Sequence, residues 1–105
     1  MKTGDIWLAQ LDPTVGSEIQ NTRPCVVISP DELNAHLRTV IVAPMATGSR
    51  PAHFRIPLTF QGQQGLIVLD QSRTLDRARL VQRLGALRPS TLALTLQTLQ
   101  AMFAP

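Results

Sequence analysis

The chain is poor in reactive and aromatic side chains. Cys25 is its single cysteine, so no disulfide can form within it. That thiol lies in the apolar run Cys25–Ser29, where it acts as a small hydrophobe, and a nucleophilic role is not expected. There are only two histidines, His36 and His53, far apart and without a second ligand close by. A structural zinc and a histidine-based serine hydrolase both fare badly on that count. Tyrosine is absent, and one tryptophan and three phenylalanines make up the aromatic set. There is no P-loop, no GxGxxG, and Gly16–Gln20 is not a GxSxG elbow. No apolar run approaches membrane-spanning length, and the opening Met1–Trp7 lacks a hydrophobic signal region. The expectation is a cytoplasmic protein with no membrane partner, metal or cofactor.

What is present is a folded single domain covering residues 1–105. Hydrophobic residues make up 44% and charged residues 16%, too apolar for a disordered chain. Such a small core gains from pairing with a second copy. Of ten cations only Lys2 is lysine. Arginine offers a planar fork of donors suited to phosphate and base edges, but arginine-favouring codons account for the bias equally well.

Short β-branched or alternating runs recur: Gly4–Leu11, Pro24–Ser29, Thr39–Met45, Phe54–Leu58, Gly65–Asp70 and, more weakly, Leu80–Leu87. Pro57 marks its run as an edge strand or a bulge. With loop signals between them, they predict a compact barrel or strongly bent sheet. Ser29–Leu37 reads as a short helix, with Ser29 at the N-cap, Pro30 at the first helical position and Asp31 and Glu32 in the first turn. Ser90–Ala104 reads as a second helix, capped by Ser90, whose core stripe is Leu92, Leu96, Leu99 and Phe103.

Polar residues gather at strand ends. Ser17, Glu18 and Arg23 lie in the first loop, Thr47, Ser49 and Arg50 after the third strand, and Asp70, Gln71 and Arg73 after the fifth. Loops at the ends of central strands converge in a closed sheet. A carboxylate beside an arginine can cleave RNA without metal. The carboxylate takes the 2′-hydroxyl proton, that oxygen attacks phosphorus, and the arginine neutralises the phosphorane. The plainer alternative is a surface ion pair between Glu18 and Arg23, worth at most about 1 kcal/mol. Residues 70–79 are then merely a solvated turn.

The stretch GDIWLAQLDPTVGSEIQNTRPCVVISP resembles the start of the MazF/PemK/Kid family of toxin endoribonucleases. That family opens with a G-[DE]-[IL]-W strand, a D-P-T-x-G-x-E loop, then R-P and a β-branched strand ending in S/T-P. Gly4, Asp5, Ile6, Trp7, Asp12, Pro13, Thr14, Gly16, Glu18, Arg23 and Pro24 fit. The similarity continues through VIVAPMATGS, GLIVLDQSRTLDRARL and the C-terminal helix. It implies a mainly β (α+β) fold, an SH3-like barrel of the MazF/CcdB type with a short helix after the second strand and a C-terminal α-helix. It also implies a homodimer, sequence-specific and metal-independent cleavage of single-stranded RNA, and a MazE-like antitoxin with a disordered acidic tail. The arginine of R-P points to Arg23 as catalytic, and the loop glutamate to Glu18.

Two departures stand out. A threonine common in the family two places after the third-strand proline is Ala46 here, with Thr47 next. Kid-type members also carry a loop histidine and an R-x-D, where this chain has Ser17, Val68 and Asp70. A Glu18/Arg23 centre with Thr47 follows. The RNA-binding candidates are Ser17, Asn21, Ser49, Arg50, His53, Asp70, Gln71 and Arg73. Asn21 either reads a base or closes the turn, and the turn is favoured. With stacking limited to Phe54 and Phe60, Arg50 and His53 are the expected base readers. The alternatives are a gyrase-binding toxin of the same fold or an RNA-binding relic.

Overall fold

The computed structural model describes residues 1–105 and holds seven strands and two α-helices. These are β1 (Asp5–Gln10), β2 (Thr22–Val27), α1 (Asp31–His36), β3 (Thr39–Ala46), β4 (Arg55–Phe60), β5 (Gln63–Val68), β6 (Arg73–Asp76), β7 (Leu80–Ala86) and α2 (Pro89–Phe103). All pairings are antiparallel, in the order β4-β5-β3-β2-β1-β7, with β6 joined to β3. The end strands β4 and β7 do not pair, so the expected barrel is a bent half-barrel.

Strand β3 organises the site. One edge carries β2, with Cys25 opposite Pro44. The other pairs with β6 along residues 39–42 and with β5 at Met45 and Ala46. The C-terminal end of β3 thus lies between the first loop and the β5–β6 connection. Strand β6 was missed in the sequence because Leu75 is its only buried apolar residue, too little alternation to register.

The two-residue period of the strands divides the core in two. Ala9, Cys25, Val27, Val40, Val42 and Leu75 form one cluster; Ile6, Val26, Ala43, Ile56, Ile67 and Leu69 form the other. Pro57 sits exposed on edge strand β4, where its missing N–H harms no ladder.

Both helix starts differ from expectation. In α1 the N-cap is Pro30, not Ser29. Ser29 is buried; its Oγ donates to Asn34 Oδ1 and accepts the Ile41 N–H, so its hydroxyl is taken by tertiary partners. Arg77 donates to the carbonyls of Asn34 and Leu37 at the other end of α1. In α2 the N-cap is Arg88 and Pro89 opens the helix, so Ser90 falls inside the first turn. Thr95 is the one buried residue of α2, flanked by half-buried Leu92, Leu96, Leu99 and Met102; Phe103 is 79% exposed. Leu92 packs on Gly4, which has φ +90° and where an added Cβ would crowd the Leu92 Cδ2 at 3.0 Å. Thr95 joins the stripe by donating its hydroxyl to the Thr91 carbonyl at 2.8 Å. No helix is long and apolar enough to cross a membrane.

Candidate active site

The loop joining β1 to β2 carries the first candidates, and its shape follows from short-range bonds. Asp12 accepts the Thr14 hydroxyl and the Asn21 N–H, each at 3.0 Å. Gly16 takes φ +58°, which glycine tolerates without strain, and Asn21 takes +74°. The Asn21 carbonyl receives the Leu11 N–H, so its backbone closes the turn. Glu18 accepts the Val15 N–H at 2.7 Å through Oε1.

Residues 70–79, expected as a solvated turn in the plainer reading, hold this loop from outside. The carboxamide of Gln71 accepts the Ile19 N–H at 2.6 Å and donates to the Ser17 carbonyl at 3.1 Å. Arg73 donates to Leu11, and Arg79 to Gln10 and Asp12. Sequence reasoning missed Arg79, since nothing local distinguishes a loop-holding arginine from a solvated one.

Two grooves flank the end of β3. The larger, about 530 Å³, is lined by Ser17, Glu18, Asp70, Gln71 and Arg73. The smaller, about 260 Å³, is lined by Arg23, Thr47, Phe60, Gln61 and Gln64. Adjacent residues of β3 face them, Pro44 the first and Met45 the second. Arg23 is half-buried, donating Nε to the Gln20 carbonyl at 2.9 Å and Nη1 to that of Met45 at 3.4 Å. It makes no ion pair with Glu18; the chain's two ion pairs are Arg55–Asp70 and Arg83–Asp5. The guanidinium is held by neutral carbonyls, which leaves its charge uncompensated. Ala46 and Thr47 both line this groove, the alanine nearly buried and the threonine exposed, so the threonine one place later offers its hydroxyl there.

The other candidates separate. Ser49 lines a shallow depression shared with Thr47. Arg50 and His53 are exposed and line neither groove; the Arg50 carbonyl accepts from Arg55, and His53 stands edge-on to Phe54. Asp70 is clasped by Arg55, and those hydrogen bonds hold its carboxyl below the usual range although burial pushes the other way. Nothing local in the sequence singles out Arg55. Gln61 and Gln64, also unforeseen individually, signal themselves only as a polar hairpin tip. Burial pushes the Cys25 thiol up to about 12, against the pull of Arg23 and Arg73, which makes it a poor nucleophile. No group of three or more histidine, cysteine, aspartate or glutamate side chains comes together as a metal site.

The family model for PemK-like, MazF-like toxins of type II toxin-antitoxin systems matches residues 2–103. The chain belongs to the PemK/MazF family. Endoribonuclease PemK of Escherichia coli is 40% identical over 81 residues, spanning 72% of this chain and 61%, less than two thirds, of PemK. Endoribonuclease MazF of Staphylococcus epidermidis is 35% identical over 96 residues, 86% of this chain and 80% of MazF. MazF of Deinococcus radiodurans shares the fold at TM-score 0.84 and 24% identity, over 97% of this chain and 94% of that one. A mycobacterial endoribonuclease in complex with its cognate antitoxin does so at TM-score 0.83 and 20% identity, over 100% and 97%. As a PemK/MazF member the chain is an endoribonuclease toxin of the type II class, and these relatives favour RNA cleavage over gyrase binding.

Proposed function

We propose that the chain cuts single-stranded RNA at preferred sequences without a metal, using the RNA's own 2′-hydroxyl as nucleophile. Glu18 takes the proton from that hydroxyl, and the oxygen closes on the adjacent phosphorus. Arg23 stabilises the added charge on the phosphorane, and the 5′-oxygen of the next nucleotide departs, taking a proton from solvent water. The ends formed are a 2′,3′-cyclic phosphate and a 5′-hydroxyl. Thr47 contacts the phosphate from the lip of the Arg23 groove.

The observation that carries this reading is the state of Arg23. Its guanidinium lines a groove, is fixed by two backbone carbonyls and has no carboxylate partner. A fixed, unneutralised cation in a groove is what a phosphodiester in transition needs. Glu18 lines the next groove, with one carboxylate oxygen bonded to the loop and the other without a protein partner. Glu18 and Arg23 line separate grooves, so the reading requires one RNA strand to cross the end of β3 and reach both.

The reading extends to partners. The chain acts in the cytoplasm as a homodimer, and a MazE-like antitoxin with an acidic tail blocks the grooves; a mycobacterial endoribonuclease of the same fold is found in complex with its cognate antitoxin. A monomer in light scattering at micromolar concentration contradicts the dimer. For the chemistry, the pure protein is incubated with a mixed RNA pool in EDTA and the ends are mapped. Discrete cuts bearing 5′-hydroxyls are expected; intact RNA, or 5′-phosphate ends, would overturn the mechanism.

A further inference from the structure

We infer that Gln71 is the positioning residue for Glu18, gripping the loop on both sides of it rather than reading RNA. This rests on Glu18 acting as the base. The carbonyl of residue 17 and the N–H of residue 19 point the same way when the intervening residue is extended, as they do along a strand edge. A neighbouring strand normally satisfies such a pair. Here the pair is Ser17 O and Ile19 N, and the partner is one side-chain amide at 3.1 and 2.6 Å. Only asparagine and glutamine present a neutral donor and acceptor side by side, and reversing the amide would set donor against donor.

The clamp ties Glu18 to the core. Gln71 ends the 3₁₀ turn Leu69–Gln71, in which Leu69 is 2% exposed within the second core cluster. Ser72 closes that turn by donating both its N–H and its hydroxyl to the Leu69 carbonyl. Between Asp12 and Asn21 only Ile19 packs against a core cluster. Without Gln71 the only hydrogen bonds left to Glu18 are those to Val15, which move with the loop, and Ile19 packing is its one remaining tie to the core. Both polar ends of Gln71 are spent on backbone, so its lining of the groove does not make it a base reader.

The test is a double-mutant cycle of Gln71→Met, which removes both bonds at similar volume, with Glu18→Gln. For Gln71→Met, kcat should fall about 10- to 100-fold, the penalty of a misplaced catalytic group, while KM changes little. Gln71→Glu keeps the acceptor for Ile19 and loses the donor to Ser17, so it should also lower kcat. Thermal unfolding checks that each variant folds, and the Ile19 amide should exchange faster in Gln71→Met than in the parent. The double variant should be no slower than Glu18→Gln alone. Independent, multiplying losses, or a Gln71→Met variant whose KM rises at constant kcat, would overturn the clamp and return Gln71 to the RNA contacts. A Glu18→Gln variant at full rate would instead overturn the proposed base itself, so the two failures are distinguishable.

Discussion

Arg55 stands opposite Val68 in the β4–β5 ladder, and its guanidinium reaches on to clasp Asp70 through two hydrogen bonds of 3.1 and 3.0 Å. Where Kid-type relatives carry an arginine, this chain has a buried valine, and the cation beside Asp70 comes from the neighbouring strand. The same guanidinium holds the Arg50 carbonyl at 2.9 Å, tying the β3–β4 loop to the end of β5.

That pair makes stability depend on acid. The Asp70 carboxyl lies below its ordinary 3.8 in the folded protein, chiefly through the Arg55 hydrogen bonds. Its contribution is present above 3.8 and is lost as pH falls through the lower folded value. Both side chains are partly exposed, at 20% and 32%, so solvent screening keeps the contribution small. Asp70→Asn should melt below the parent at neutral pH, and the gap should close in acid. A gap that persists at low pH would show that the charge is not responsible.

Asn21 distinguishes turn closure from base reading. Its φ of +74° suits glycine, so Asn21→Gly should retain folding and the same cleavage sites. Asn21→Val should cost about 1–2 kcal/mol by forcing a β-branched residue into the left-handed region. Altered cleavage sites in the glycine variant, mapped by RNA end sequencing, would give the side chain a role in recognition.

The threonine shifted by one place makes a paired prediction. Thr47→Ala should slow cleavage about tenfold, the loss expected for one hydrogen bond to a charged group. Ala46→Thr should bring no gain, because position 46 is only 9% exposed and leaves little room for a larger side chain. It should instead cost about 1–3 kcal/mol from overpacking. Single-turnover rates and thermal melts of both variants check this.

The C-terminal helix tests the corrected stripe. Phe103→Ser should change stability by no more than about 0.5 kcal/mol, as for other exposed positions. Leu99→Ala should cost about 2 kcal/mol, since Leu99 packs against the second core cluster. Urea unfolding ranks the two; equal costs would restore Phe103 to the core.

How far the sequence was legible varies with the kind of signal. The β-branched runs Pro24–Ser29 and Gly65–Asp70 reveal β2 and β5 but place each two residues late, since Thr22–Val27 and Gln63–Val68 begin in polar residues; the loop motif from Asp12 to Pro24 points to the family from its residues. Thr95 was passed over because a polar residue on an apolar stripe looks exposed until its hydroxyl turns back to the preceding turn. A step of four from Leu99 to Phe103 fits the helical period as well as a step of three to Met102, yet the helix turns Met102 to the core and leaves Phe103 exposed. Partnerships across long separations, such as Gln71 with Ile19 or Arg55 with Asp70, leave no local trace. They decide which polar residues remain free for RNA, so the candidates at 70 and 71 looked freer in sequence than they are.

The most direct test is RNA cleavage by Arg23→Ala and Arg23→Lys, each first shown to fold and associate like the parent. If the fixed guanidinium carries the reaction, alanine should abolish cutting, and lysine, lacking the planar fork, should recover little of it. An alanine variant that cuts a sensitive RNA at the parental rate would contradict the account.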